Sequence, residues 1–162
     1  MLKLYITKLK PSEKPHDAAM RALDKAIFEL CGKRATDYKI DKTRLGKPFF
    51  ADCEKIKFSL SHSGEYAAAA VADMEVGVDS ERVRPVSARV VQRFLSGIVA
   101  GSSDEDIIEA WCKKESYGKF VGTGLVGADF SKPHFMLVFD CIPGYKIAVC
   151  SAKEQTAEIV VF

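Results

Sequence analysis

Asp79 and Glu81, in the run Gly77-Val78-Asp79-Ser80-Glu81, and Glu115, in Trp111-Cys112-Lys113-Lys114-Glu115-Ser116-Tyr117-Gly118-Lys119, are acidic side chains that a short strand and a helix would each present on one face. Side chains alternate along a strand, so Asp79 and Glu81 point the same way, Ser80 points the other, and Gly77 keeps the backbone uncrowded just before them. Two carboxylates side by side repel unless a cation sits between them. At about 100° per residue, Glu115 falls in the middle of a helical stripe made by Ile108, Trp111 and Cys112, and Lys119, four residues on, shares that face. An inward carboxylate needs a positive partner or a proton, because an unpaired buried charge is costly. Three acids and a lysine of this kind have the make-up of a Mg²⁺-phosphate site, and Gly118 and Gly122 beside Lys119 leave room for a close approach.

The elements that must position these residues are legible as alternating periods. Leu2, Leu4 and Ile6 alternate with polar residues as a half-buried strand does, and Ala19, Leu23, Ala26, Ile27 and Leu30 recur at helical spacing until Gly32. Residues 56–60, 66–72 and 76–78 read as successive strands; the alanine run within them is assigned to a strand because turns bound it. After Pro85 the order recurs: a helix near Ser87 to Leu95, a longer one from Asp104 to about Val121, then strands over 134–139, 145–150 and 156–162. Ser102 followed by Glu105 offers a capping box for the longer helix. The fold class expected is α+β, a single domain (1–162) made of two similar β-α-β-type halves, about 1–84 and 85–162, forming a pseudo-dimer with the site between them.

Composition narrows the function classes. At 162 residues, with 48% hydrophobic and 28% charged residues, the chain can bury a sizeable core without staples. The net charge of +2 conceals an asymmetry: the first fifty residues hold twelve Lys and Arg against six Asp and Glu, which suits a polyphosphate or an acidic protein. Five cysteines, without CxxC spacing and mostly within apolar runs, read as reduced core thiols, hence a cytoplasmic protein. The amino-terminal MLKLYITKLK alternates instead of forming an apolar signal, and no stretch approaches the roughly 20 apolar residues of a membrane span.

With these residues assembled, the chain resembles the 4′-phosphopantetheinyl transferase superfamily, and its two-halved surfactin-synthetase-activating type most. The resemblance runs from about Gly46 to Leu125. It rests on GKP at Gly46 to Pro48, SLSHSG at Ser59 to Gly64, GVDSE at Gly77 to Glu81, and WCKKESYGK followed by Gly122, Gly124 and Leu125. It implies transfer of the phosphopantetheine arm of coenzyme A to a serine of an acidic acyl or peptidyl carrier protein, with release of adenosine 3′,5′-bisphosphate. It further implies that Asp79, Glu81 and Glu115 hold Mg²⁺, that Glu115 takes the serine proton, and that Lys119 donates to phosphate oxygens. Lys47 and His62 match positions that contact coenzyme A phosphates, and Arg44 is the nearest further basic candidate. The implied protein is a monomer with neither nucleic-acid nor membrane partners. The segment Gly97 to Ser103 is shorter than this resemblance leads one to expect, and Ser80 stands where an apolar residue is usual.

Plainer readings stand beside these. Asp79 and Glu81 taken alone fit a solvated strand end, Glu115 and Lys119 an ordinary i, i+4 surface pair, Lys47 a turn lysine, and His62 a hydrogen-bonded loop histidine. A Ser-His nucleophile at 61–63 is disfavoured, because strand neighbours face opposite ways and no GxSxG elbow is present. His16 and His134 lie outside any ligand spacing. Two other functions use the same residues: a non-catalytic coenzyme A or carrier-protein binding module, and a metal-dependent phosphohydrolase.

Overall fold

The computed structural model describes residues 1–95, 101–125, 131–132 and 134–162. Its elements, in chain order, are β1 (Leu2–Lys8), α1 (Pro15–Cys31), β2 (Ile40–Lys42), β3 (Pro48–Phe50), β4 (Lys57–Ser63), β5 (Tyr66–Ala72), β6 (Val76–Arg82), α2 (Ala88–Phe94), α3 (Asp104–Val121), β7 (Phe135–Phe139), β8 (Tyr145–Ser151) and β9 (Glu158–Val161). One sheet has the order β4-β5-β1-β9, antiparallel except for β9, which lies parallel to β1; a second has the order β6-β8-β7 and is antiparallel throughout. The short β2-β3 hairpin, absent from the sequence reading, stands apart from both.

Alternation along the strands builds the layers. Leu2, Leu4 and Ile6 of β1 and Ala68, Ala70 and Ala72 of β5 meet Val76 and Val78 of β6 and Tyr145, Ile147 and Val149 of β8, so the two sheets pack face to face over a shared apolar core. Tyr5, Ala69 and Val71 point the other way, onto Ala22, Leu23, Ala26 and Ile27 of α1. Ala148 and Cys150 on the outer side of the second sheet receive Ile108, Cys112, Tyr117 and Phe120 of α3. The result is four layers, helix, sheet, sheet, helix. The alanine run is buried on both faces, which explains a strand built from a good helix former: small side chains let α1 and the second sheet approach it from opposite sides.

The expected α+β class is present, and its strands interleave the stretches 1–84 and 85–162. β6 pairs with β8, whereas β9 returns to pair with β1. The cap of α3 lies one residue beyond the expected Ser102 and Glu105: Ser103 Oγ accepts from the Asp106 N–H (3.1 Å), and the Asp106 carboxylate accepts from the Ser103 N–H (3.1 Å). Both frames satisfy the box in this serine- and acid-rich segment, so the local pattern cannot choose between them. Only Cys112 and Cys150 are core thiols; Cys53 is half-buried, and Cys31 and Cys141 are exposed. Of the shortened segment Gly97 to Ser103, residues 97–100 lie outside the described residues.

Gly77 sets the distance between α3 and β6. A Cβ there would run into the Ser116 carbonyl and the Phe120 backbone nitrogen, and lie 3.0 Å from the Lys119 carbonyl carbon, so the helix backbone rests directly on the glycine. Helix backbone cannot rotate away as a side chain can. Gly77→Ala is therefore expected to cost about 2 to 3 kcal/mol, seen as a fall of roughly 5 to 10 °C in the thermal unfolding midpoint.

Candidate functional site

The site grows from a row of serines where an apolar strand face would be expected. Ser59, Ser61 and Ser63 lie on the face of β4 turned toward the second sheet, opposite Ala70, Ala68 and Tyr66 of β5. β6 is an edge strand, and the N–H groups on its free side need acceptors. The serine hydroxyls supply them: Ser59 Oγ accepts from the Val78 N–H (3.0 Å), Ser61 Oγ from the Ser80 N–H (3.0 Å) and Ser63 Oγ from the Arg82 N–H (3.2 Å). Each pair is 19 residues apart, so β4 and β6 run in the same direction, in step.

A hydroxyl that accepts a backbone N–H still has its own hydrogen to give. Ser61 gives it to Asp79 Oδ1 (3.0 Å), and Ser63 to Glu81 Oε2 (2.7 Å). Both carboxylates project from the outer face of β6, toward α3, as the strand alternation requires. Asp79 is only 5% exposed, and its Oδ1 also accepts from Lys119 Nζ at 2.8 Å. Its Oδ2 is buried with no hydrogen-bond partner among the described residues.

α3 brings the third acid. Glu115 is half-buried, and its carboxylate makes no hydrogen bond or ion pair among the described residues. Burial, and then repulsion by Asp79 and Glu81, raise its carboxyl above the usual carboxylate range, while Lys119 opposes the rise. It stands at the border of the buried stripe, whose centre is Ile108, Cys112 and Ser116; Trp111 lies beyond it and packs edge-on against Phe94 (5.8 Å between rings). Lys119 does share the face of Glu115, yet its ammonium bridges Asp79 and the Leu60 carbonyl (3.3 Å) instead of forming an i, i+4 pair. The buried Cys112 thiol adjoins the same acids: burial, then Asp79 and Glu81, push its pKa up, leaving it protonated and donating to the Lys146 carbonyl (3.4 Å).

Lys119 also lines a cavity of about 250 Å³ whose other walls are Gly46, Lys47 and Pro48, Ser59 and Leu60, and Gly118, Gly122 and Gly124. Three of the sequence motifs thus meet around one void. The room at Gly118 is filled by the chain itself, since a Cβ there would lie 2.7 Å from the Gly124 carbonyl group. Arg44, Lys47 and Lys132 line an adjoining cavity of about 420 Å³ together with Glu75. Lys47 is already engaged: its ammonium pairs with Glu75 (2.6 Å) and donates to the Phe120 carbonyl (3.0 Å), and its side chain is 14% exposed. His62 is exposed on the α1 face of β4, away from the serine row, and lines neither cavity. Among the described residues, no three His, Cys, Asp or Glu side chains are grouped closely enough to hold a metal ion as they stand.

The structure therefore brings Asp79, Glu81, Glu115 and Lys119 together and places Lys47 and Arg44 beside the cavities. Sequence reasoning missed the serine row and Glu75. Serine at every second position of a strand otherwise flanked by core residues was the available signal for the row; nothing in the sequence marks Glu75.

Several curated proteins are similar to this chain, and three of them cover most of it. The chain is 28% identical over 169 aligned positions to the 4′-phosphopantetheinyl transferase ffp of Bacillus subtilis, covering 88% of this chain and 74% of that one. It is 28% identical to the 4′-phosphopantetheinyl transferase Sfp of Bacillus subtilis strain 168 (76% and 67%) and 27% identical to the 4′-phosphopantetheinyl transferase psf-1 of Bacillus pumilus (90% and 69%). No family profile matches the chain.

Two outcomes follow from the geometry. Because the Glu115 pKa is raised in the folded state, its contribution to stability is fully present below the unfolded value of about 4.3 and is lost as pH rises through the folded value. Without divalent metal, Glu115→Gln is therefore expected to melt above the wild type at pH 7 and together with it near pH 4, as a pair of calorimetric scans would show. Ser61→Ala leaves the buried Ser80 N–H without an acceptor and removes a donor from Asp79, and should cost about 2 kcal/mol in denaturant unfolding.

Proposed function

We propose that this chain, a sequence relative of the 4′-phosphopantetheinyl transferases, transfers the 4′-phosphopantetheine group of coenzyme A to a serine hydroxyl of an acidic carrier protein, releasing adenosine 3′,5′-bisphosphate. The observation that supports this reading is the grouping of Asp79, Glu81 and Glu115 near Lys119, which itself lines a cavity walled by the Gly46 to Pro48 turn. Asp79, Glu81 and Glu115 would hold Mg²⁺. Three hard carboxylate donors on facing elements, one of them with a buried oxygen that has no hydrogen-bond partner among the described residues, suit such an ion. When bound, the ion supplies Lewis-acid polarisation of the pyrophosphate and neutralises charge on the leaving bisphosphate.

The chain's own residues account for the rest. Lys119 stands between Asp79 and the cavity, so its ammonium can donate to phosphate oxygens as the P–O bond to the leaving bisphosphate breaks and charge grows there. Glu115, half-buried on α3 on the same helix face as Lys119, would accept the proton of the attacking serine hydroxyl. Arg44, Lys47 and, from the far face of β4, His62 provide positive or donor groups for the coenzyme A phosphates. The basic first third of the chain favours an acidic carrier. The protein acts as a single domain and a cytoplasmic monomer in this reading; among the described residues no helix is long and apolar enough to cross a membrane.

The test is intact-mass spectrometry of apo acyl and apo peptidyl carrier proteins incubated with the protein, coenzyme A and Mg²⁺. A gain of one phosphopantetheine is expected, abolished by chelation and by Glu115→Gln. Lys119→Met should lower kcat by about 10² to 10³, the usual effect of removing one donor to developing charge. Coenzyme A cleaved without a gain in carrier mass would identify a phosphohydrolase instead.

A further inference from the structure

The Glu81 carboxylate has one hydrogen bond among the described residues, and Ser63 makes it. Asp79, by contrast, is held by both Ser61 and Lys119. The cation nearest to Glu81 in the sheet register is Lys146, its direct neighbour on β8, but that ammonium is taken by Asp140 (2.8 Å) and Glu105 (3.3 Å). Nor is the Ser63 hydroxyl free to turn: it accepts from the Arg82 N–H, so its single hydrogen is committed to Glu81 Oε2, and Glu81 Oε1 is left without a hydrogen-bond partner among the described residues.

We propose that Ser63 is the positioning residue for Glu81, anchoring Oε2 so that the carboxylate is presented toward Asp79 and Glu115 for a divalent cation. The inference rests on the metal-site reading above. It separates Ser63 from its neighbours in the row. Ser59 reaches no carboxylate, and Ser61 accepts a buried N–H, so its removal damages the fold; the N–H that Ser63 accepts is exposed and can turn to water.

The test uses Mn²⁺ as a probe, titrated into the protein with coenzyme A present and followed by the electron paramagnetic resonance signal of the free ion, for the wild type, Ser63→Ala, Ser63→Thr and Glu81→Gln. Ser63→Ala is expected to weaken Mn²⁺ binding about tenfold, the equivalent of one hydrogen bond to a charged group. Ser63→Thr, which keeps the hydroxyl, should restore it to within about threefold. Melting temperatures without metal should agree within about 2 °C, as for half-exposed substitutions generally. Wild-type affinity in Ser63→Ala, or a loss that Thr does not rescue, overturns the positioning role while leaving the metal site standing. A wild type that does not bind Mn²⁺, or a Glu81→Gln that binds it as well as the wild type, overturns the metal-site reading and this inference with it.

Discussion

The free edge of β6 has to find acceptors for its N–H groups, and the way it finds them organises the site. Backbone pairing with β4 would have used the carbonyls of that strand and merged two sheets into one. Hydroxyl acceptors from Ser59, Ser61 and Ser63 satisfy the edge while β4 stays paired to β5, so the two sheets stack with an apolar core between them. The same hydroxyls hold hydrogens that backbone carbonyls lack. Ser61 and Ser63 direct those hydrogens at Asp79 and Glu81, and so one row of side chains closes the sheet interface and aims the acids.

A second constraint is charge. Three acids share the space between β6 and α3, and Lys119 is the lysine bonded to one of them. The mismatch shows in the raised pKa of Glu115 and in the buried, unpartnered Oδ2 of Asp79. Groups held this way lower stability, the usual signature of residues retained for binding or chemistry. At the cavity, Lys47 is tied to Glu75 and to the carbonyl end of α3, so any anion entering there competes with a carboxylate already in place.

Much of this was legible in the residues. Period-two alternation in residues 2–8 and the helical spacing of α1 and α3 mark long elements, and these lie where read, although β1 is buried on both faces, Tyr5 and Thr7 included, and Trp111 lies outside the buried stripe of α3. The β2-β3 hairpin was not legible, because three-residue strands carry too few alternations to register. Asp79, Glu81, Glu115 and Lys119 were recognisable as a group since strand and helix periodicity each fix which way a side chain faces. Which acid Lys119 would choose was not, because that depends on the spacing of α3 from β6, set by Gly77, and spacing between elements is a tertiary quantity.

The parallel pairing of β9 with β1 joins residues nearly a full chain length apart, Lys3 beside Glu158. During synthesis, β1 has β5 on one side early, but its other edge stays open until β9 has been made. Such distant closure is slow, since the entropy of ordering a long loop is lost before any contact repays it. The nascent chain therefore carries an unpaired sheet edge while the residues between β1 and β9 are being made, a surface open to misassociation with neighbouring chains and to chaperone capture.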